Sequence, residues 1–147
     1  MRIADVLRNK GGAVRTINPD ATVQELLAGL AEQNIGAMVV ADGDGPDAVV
    51  GIVSERDVVR QLHRQGADVL SGPVSKIMTA AVTTCTKSDT VDSVSALMTT
   101  NRVRHVPVLD GTSLIGIVSI GDVVKTRMEE LEAEHEQLQS YITQGAS

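Results

Sequence analysis

Apolar residues recur along this chain in two rhythms, one of helix period and one of short continuous runs, and the alternation comes round twice. Val23, Leu26, Leu27 and Leu30 keep the i, i+3, i+4, i+7 spacing of a single buried helix face. Thr22 stands just ahead of that face, and with Glu25 three residues on it makes a capping box for the helix. Ala37 to Ala41 and Ala48 to Val53 are short apolar runs that read as buried strands, separated by a Gly, Asp and Pro loop over Asp42 to Asp47. A helix follows from Ser54 to about Gln65, where Gly66 stops it. Upstream, Arg2 to Arg8 reads as a short helix with Ile3, Val6 and Leu7 inward, and Val14 to Ile17 as a brief strand.

Ser71-Gly-Pro73 then breaks the chain, and the order begins again. Val74 to Met78 answers the leading helix, Val82 to Cys85 the brief strand, and Thr90 with Val91, Val94 and Met98 the capped helix. Arg104 to Val108 and Leu114 to Val118, joined by a tight turn at Asp110-Gly111, answer the strand pair. From the brief strand onward, equivalent residues lie 68 positions apart before the hairpin loop and 65 after it, with both flanks in register, as an internal repeat with a shortened loop requires. The strictest correspondence is Gly51-Ile-Val-Ser-Glu-Arg-Asp-Val-Val59, which returns as Gly116-Ile-Val-Ser-Ile-Gly-Asp-Val-Val124 with seven of nine positions identical.

The fold class that follows is α+β. Each half carries a small three-stranded sheet and two helices, too little to bury both sheet faces alone. Two halves packed sheet to sheet share a core, and a pseudo-twofold relation between them makes two equivalent clefts. The expected divisions are 1–70, 71–128 and a helical extension over 129–147.

Each copy of the nine-residue motif runs from a strand into a helix, where the first backbone N–H groups lack partners and carry partial positive charge. Ser54 with Asp57, and Ser119 with Asp122, stand at those junctions. One reading is a capping box, in which the serine caps the helix and the aspartate reaches back. The other is a ligand site, in which the aspartate grips two vicinal ribose hydroxyls while the serine helps hold a phosphate. The two are compatible.

Composition narrows the chemistry. A net charge of −6 over 147 residues argues against non-specific nucleic-acid binding. No apolar stretch approaches the ~20 residues of a membrane span, and no leader-like segment opens the chain, so the expected location is cytoplasmic. Cys85 is the sole cysteine, which rules out an intrachain disulfide; it is either a packed thiol or one activated by nearby Lys87. His63, His105 and His135 lack metal-site spacing. With Tyr141 the sole aromatic, a bound base must be sandwiched by aliphatic side chains. No motif pairs a nucleophile with a base.

The order strand, helix, strand, Gly-Ile-Val-Ser-x-x-Asp, helix, with Arg104-His-Val-Pro-Val108 ahead of the second copy, resembles the CBS domain, and the pair resembles a Bateman module over roughly residues 1–128. The resemblance implies a non-enzymatic sensor that binds an adenosine-containing nucleotide such as AMP, ATP or NAD, with no catalytic cofactor. It implies that Asp57 and Asp122 hold ribose hydroxyls, and that Ser54 and Ser119 contact ribose or phosphate. Thr16 and Thr84 match the first-strand position whose backbone meets adenine. Ile35 to Met38, including Gly36 and Ala37, and Val103 to Val106, with Pro107 after them, match the segments that close on the base. Arg104 and His105 match a phosphate-facing basic pair. The first half has Gly36-Ala37 there instead, so the two clefts are expected to be unequal, with Arg15 or Arg56 as compensating cations.

From Asp122 a helix can run to Ile142. Val124, Met128, Leu131, His135, Leu138 and Ile142 fall at spacings of 4, 3, 4, 3 and 4, the seam of a paired helix with acidic flanks. The helix either folds back on its own half or crosses to a second copy, and a homodimer is expected. A structural adaptor without ligand is the alternative function; the downstream protein partner is not encoded in any motif.

Overall fold

Threonine hydroxyls start two of the helices, and at the first of them the threonine half of the expected capping box is the half that forms. In the computed structural model, which describes residues 1–11, 14–43 and 48–145, Thr22 Oγ1 accepts from the Glu25 N–H ahead of α2 (Val23–Gln33). Thr90 Oγ1 accepts from the Ser93 N–H ahead of α4 (Val91–Asn101) in the same way. The remaining helices are α1 (Ile3–Lys10), α3 (Glu55–Gln65) and α5 (Ile120–Gly145). The strands are β1 (Thr16–Ile17), β2 (Ala37–Ala41), β3 (Val49–Ser54), β4 (Cys85–Thr86), β5 (His105–Asp110) and β6 (Ser113–Ser119).

They form two three-stranded sheets of the same order, β1-β2-β3 and β4-β5-β6. In each, the first strand is parallel to the second and the third is antiparallel to it. Both hairpins carry a register shift at the same place, after Val40 and after Val108. Alternation along β2 and β5 sends Met38 and Val40, and likewise Val106 and Val108, toward the helices. There they join two separate hydrophobic clusters, one per half, rather than the single shared core expected from the repeat. Cys85 is packed in the second cluster, where burial and the nearby Asp89 push its thiol up to about 11; Lys87 does not activate it.

The leading segments are exchanged. Ile3 and Val6 of α1 belong to the second cluster, and Val74 and Ile77 to the first. Three main-chain hydrogen bonds in one exchange correspond one for one with three in the other. Ile3 N–H donates to Asp89 as Val74 does to Ala21, Ala4 to Lys87 as Ser75 to Pro19, and Val91 to Met1 as Val23 to Gly72. The same pairing recurs at the glycines of the repeated motif: a side chain on Gly116 would meet Leu7, and one on Gly51 would meet Met78 and the Thr79 carbonyl.

This exchange explains where expected boundaries moved. The segment after Pro73 makes a single 3-10 turn (Val74–Lys76) instead of a helix to Met78, because Thr79 must leave to pair with Ile52, exchanging hydrogen bonds of 2.8 and 3.0 Å. The brief strands are two residues long, at Thr16–Ile17 and Cys85–Thr86, since each pairs with the far part of its neighbour while the preceding chain crosses between halves. A further 3-10 turn, Ala67–Ser71, buries Val69 in the first cluster. The second hairpin turns at Gly111-Thr112, with φ +65° at Gly111, and residues 44–47 of the expected first loop lie outside the described residues.

α5 is continuous over 26 residues, about 39 Å at 1.5 Å per residue. Val123 and Thr126 bury its first turns, and Arg127 meets Asp92 at 3.2 Å. From Leu131 onward every described residue is exposed, so the helix does not fold back. No helix among the described residues is long and apolar enough to cross a membrane.

Candidate functional site

Both serine–aspartate junctions form their capping boxes. Ser54 Oγ accepts from the Asp57 N–H at 3.3 Å, and the Ser54 N–H donates to Asp57 Oδ2 at 2.9 Å. Ser119 Oγ accepts from the Asp122 N–H at 3.2 Å, and the Ser119 N–H donates to Asp122 Oδ2 at 2.9 Å. The capping reading is therefore realised at both, and it leaves each carboxylate with acceptor capacity to spare.

What lies around the two junctions differs. Asp57 opens on a cavity of about 440 Å³ between the halves, within the usual size range of small-molecule sites. The first half contributes Gly36, Ala37, Ile52 and the stretch from Ser54 to Asp57 with Arg60; the crossing segment contributes Thr79, Ala81 and Thr83. The second half contributes Arg102 to His105 and Ser119 to Gly121. Four arginines thus line one cavity, Arg56, Arg60, Arg102 and Arg104, against Glu55 and Asp57. In a chain of net charge −6, that local excess of positive charge favours an anionic ligand.

His105 sits where the halves meet. Its Cε1 and Nε2 lie 3.5 Å from the place a Cβ on Gly36 would occupy, and Glu55 Oε1 lies 3.6 Å from the same point. The glycine of the first half seats the imidazole of the second. Burial holds His105 below its usual range; Lys10 and Arg104 act the same way, while Asp122 and Glu55 oppose them.

Asp122 is engaged by Lys10. The lysine Nζ donates to Asp122 Oδ2 at 2.8 Å and to the Ile117 carbonyl at 2.9 Å. Burial alone would raise this carboxyl, but the hydrogen bonds from Lys10 and from the Ser119 N–H hold it below its ordinary value.

Of the residues singled out from sequence, Gly36, Ala37, Ser54, Arg56, Asp57, Val103, Arg104, His105 and Ser119 line this cavity. Arg104 and His105 therefore face Asp57 across the halves. Thr16 is exposed at the start of β1 and Thr84 just ahead of β4, and Ile35 is 37% exposed after α2. Val106 is packed in the second cluster, and Pro107 is buried in β5 opposite Ile117. Sequence reasoning had not singled out Arg60, Arg102, Thr79, Thr83 or Lys10. Arg102 carried one faint signal, its correspondence with Asn34: both hold left-handed backbone, φ 54° and 53°, at the ends of α4 and α2. Asparagine tolerates that conformation, and arginine seldom adopts it.

Comparison with known proteins bears on the whole chain. The chain is 37% identical over 149 aligned residues to the CBS domain-containing protein CBSX3, mitochondrial, of Arabidopsis thaliana, covering 97% of this chain and 72% of that protein. Among solved structures, a CBS-domain containing protein from Agrobacterium tumefaciens superposes with a TM-score of 0.82 at 44% identity, over 86% of this chain and 99% of that one. A CBS domain protein from Pyrobaculum aerophilum, complexed with AMP, superposes with a TM-score of 0.72 at 28% identity, over 83% and 89% of the two chains. The CBS-domain family profile itself matches residues 4–64 and 74–129. Two matches to one profile, on the two repeats read from the sequence, establish that the chain belongs to the CBS-domain family and carries a tandem pair.

Proposed function

We propose that the chain is a non-enzymatic regulatory module that binds an adenine nucleotide in the cleft between its two repeats. The observation that carries this reading is the cavity in which Asp57 faces the arginines of both halves. A carboxylate at a helix start suits a pair of ribose hydroxyls, and guanidinium groups suit phosphate oxygens. The aliphatic lining offered by Ile52, Ala81 and Val103 suits the base. AMP is the first candidate, supported by the AMP complex of the Pyrobaculum aerophilum relative; ATP and NAD offer the same adenosine end.

The signal passes through assembly. Ile120, Val124, Met128, Leu131, Leu138 and Ile142 form an exposed apolar stripe on α5, and a groove of about 690 Å³ runs beside it from Arg104 and Ile120 to Glu132. A second copy of α5 across a twofold axis would cover the stripe with an identical one. Arg104, Ile120 and Gly121 border both the groove and the cavity, so a nucleotide and a partner helix would meet at the same residues.

Calorimetric titration of nucleotide-stripped protein with AMP, ATP, NAD and adenosine tests the first part. The expected result is tighter binding of AMP than of adenosine, with the difference narrowed by Arg104→Ala. Absence of heat with all four ligands would leave the junctions as helix caps in a structural adaptor. Light scattering tests the second part: a chain truncated after Arg127 should dimerise more weakly than the full chain, and a monomeric full chain at micromolar concentration would refute the dimer.

A further inference from the structure

Lys10 is the last residue of α1, and the exchange of leading segments carries it to the second junction. Its ammonium group is held at two points, by Asp122 Oδ2 at 2.8 Å and by the Ile117 carbonyl at 2.9 Å. The carboxylate oxygen it takes is the one that also accepts from the Ser119 N–H. Among the described residues, Asp57 meets no equivalent cation. Its nearest one is Arg60, at 3.9 Å, reaching back from three residues along the same helix with a side chain 58% exposed.

The repeat explains the difference. In the leading segments Ile3, Val6 and Leu7 correspond to Val74, Ile77 and Met78, each 71 positions on. The same step takes Lys10 to Ala81, which lines the cavity beside Asp57. A methyl group therefore stands in the first cleft where an ammonium group stands in the second. The first leaves its carboxylate open to hydroxyl donors, and the second already supplies a charged donor from the chain itself.

We propose that Lys10 is the residue that decides between the two clefts: it occupies the Asp122 carboxylate and confines adenine nucleotide to the Asp57 cleft, at one per chain. The inference rests on the nucleotide reading above and adds a stoichiometry and a cause to it. A ribose entering the second cleft would have to displace a donor that is itself charged with hydroxyl donors that carry no charge, giving up the ammonium–carboxylate attraction.

The test is calorimetry with AMP on the full chain, comparing wild type with Lys10→Met and Lys10→Arg. α1 is anchored by Ile3, Val6 and Leu7, so both variants keep its packing, and thermal melting checks this. The expected stoichiometries are one for wild type, two for Lys10→Met and one for Lys10→Arg, which keeps the closing cation. In Lys10→Met combined with Asp57→Ala, the single remaining site is the Asp122 cleft. Two sites in wild type would overturn the proposal, whether Lys10→Met left both intact or removed one. One site in both wild type and Lys10→Met would also overturn it, since something other than Lys10 would then close the cleft. Binding to none of the variants would instead overturn the nucleotide reading on which it rests.

Discussion

The two serine–aspartate junctions share a motif and its internal hydrogen bonds, yet one looks into an arginine-lined cavity and the other into the chain's own lysine. The motif fixes where a hydroxyl and a carboxylate stand relative to a helix start. The segments that cross from the other half fix what those groups meet. Thr79, Ala81 and Thr83 pass one junction, and Lys10 reaches the other. A duplicated sequence therefore supplies two scaffolds of equal geometry and unequal chemistry.

The largest expected effect is on binding. Asp57→Ala should weaken AMP by ~10- to 100-fold, the loss of a charge-assisted hydrogen bond worth ~1.5–3 kcal/mol. Asp122→Ala should leave AMP affinity within about twofold while lowering the unfolding midpoint, because it removes a cap and the partner of Lys10. Calorimetry and melting on the two variants would reverse the comparison if Asp122 proved the stronger binder.

Next come the glycines under the leading segments. A Cβ on Gly51 would lie 2.7 Å from Met78 Sδ and 2.8 Å from the Thr79 carbonyl, which is backbone and cannot give. A Cβ on Gly116 meets Leu7 Cδ2 at 2.5 Å, the end of a side chain that can rotate. Urea unfolding should therefore show Gly51→Ala costing ~1–3 kcal/mol and Gly116→Ala clearly less. Equal costs would mean that the second half is as tightly clamped as the first.

Arg102 and Asn34 offer a smaller contrast. Arg102→Gly removes an unfavourable left-handed arginine and should raise stability by about 0.5–1 kcal/mol, while weakening AMP by removing a cavity guanidinium. Asn34→Gly should change stability by only a few tenths of a kcal/mol, since asparagine already accepts that backbone. A stability loss in Arg102→Gly would show that the arginine earns its place in the fold rather than at the ligand.

The smallest effect is the pH response of His105. Its folded value is held low by burial, so the imidazole binds its proton more readily in the unfolded chain. Its contribution is fully present above about pH 6.5 and is lost as the pH falls through the window below that value. Lys10, Arg104, Asp122 and Glu55 all face it, so the acid limb reports their joint field. His105→Gln should flatten the fall in stability below about pH 6.5, measured by denaturant titration at fixed ionic strength.

Much of the fold was legible because local periodicity and capping chemistry are read over a few residues. The leucine stripe of α2, the threonine caps and the alternation in β2 and β5 all lie within one element. The strand pair around residues 44–47 and the shortened second hairpin were visible as a change in repeat offset. The exchange of leading segments was not, since Ile3 meeting Asp89 is a contact between distant positions that no local pattern encodes. The candidate site was half legible for the same reason. Asp57, Ser54, Arg104 and His105 could be named from the motifs, but that they share one cavity follows from how the halves cross. Lys10 looks in sequence like the last residue of a surface helix, and only the crossing brings it to Asp122.

That crossing also sets an order of assembly. The first sheet takes its clasp from Val74 to Ile77, which follow it directly in the chain. All its parts are available once the segment through Thr79 has been made. The second sheet takes its clasp from α1, which is made first and has no sheet to dock on until β4, β5, β6 and the start of α5 exist. During that interval Ile3, Val6 and Leu7 present an unpaired apolar face, the kind of surface that invites premature association in a nascent chain. Docking α1 then closes almost the whole pair of repeats into a loop, a step of high contact order that slows folding. Of the two leading segments, the one synthesised first is the last to reach its place.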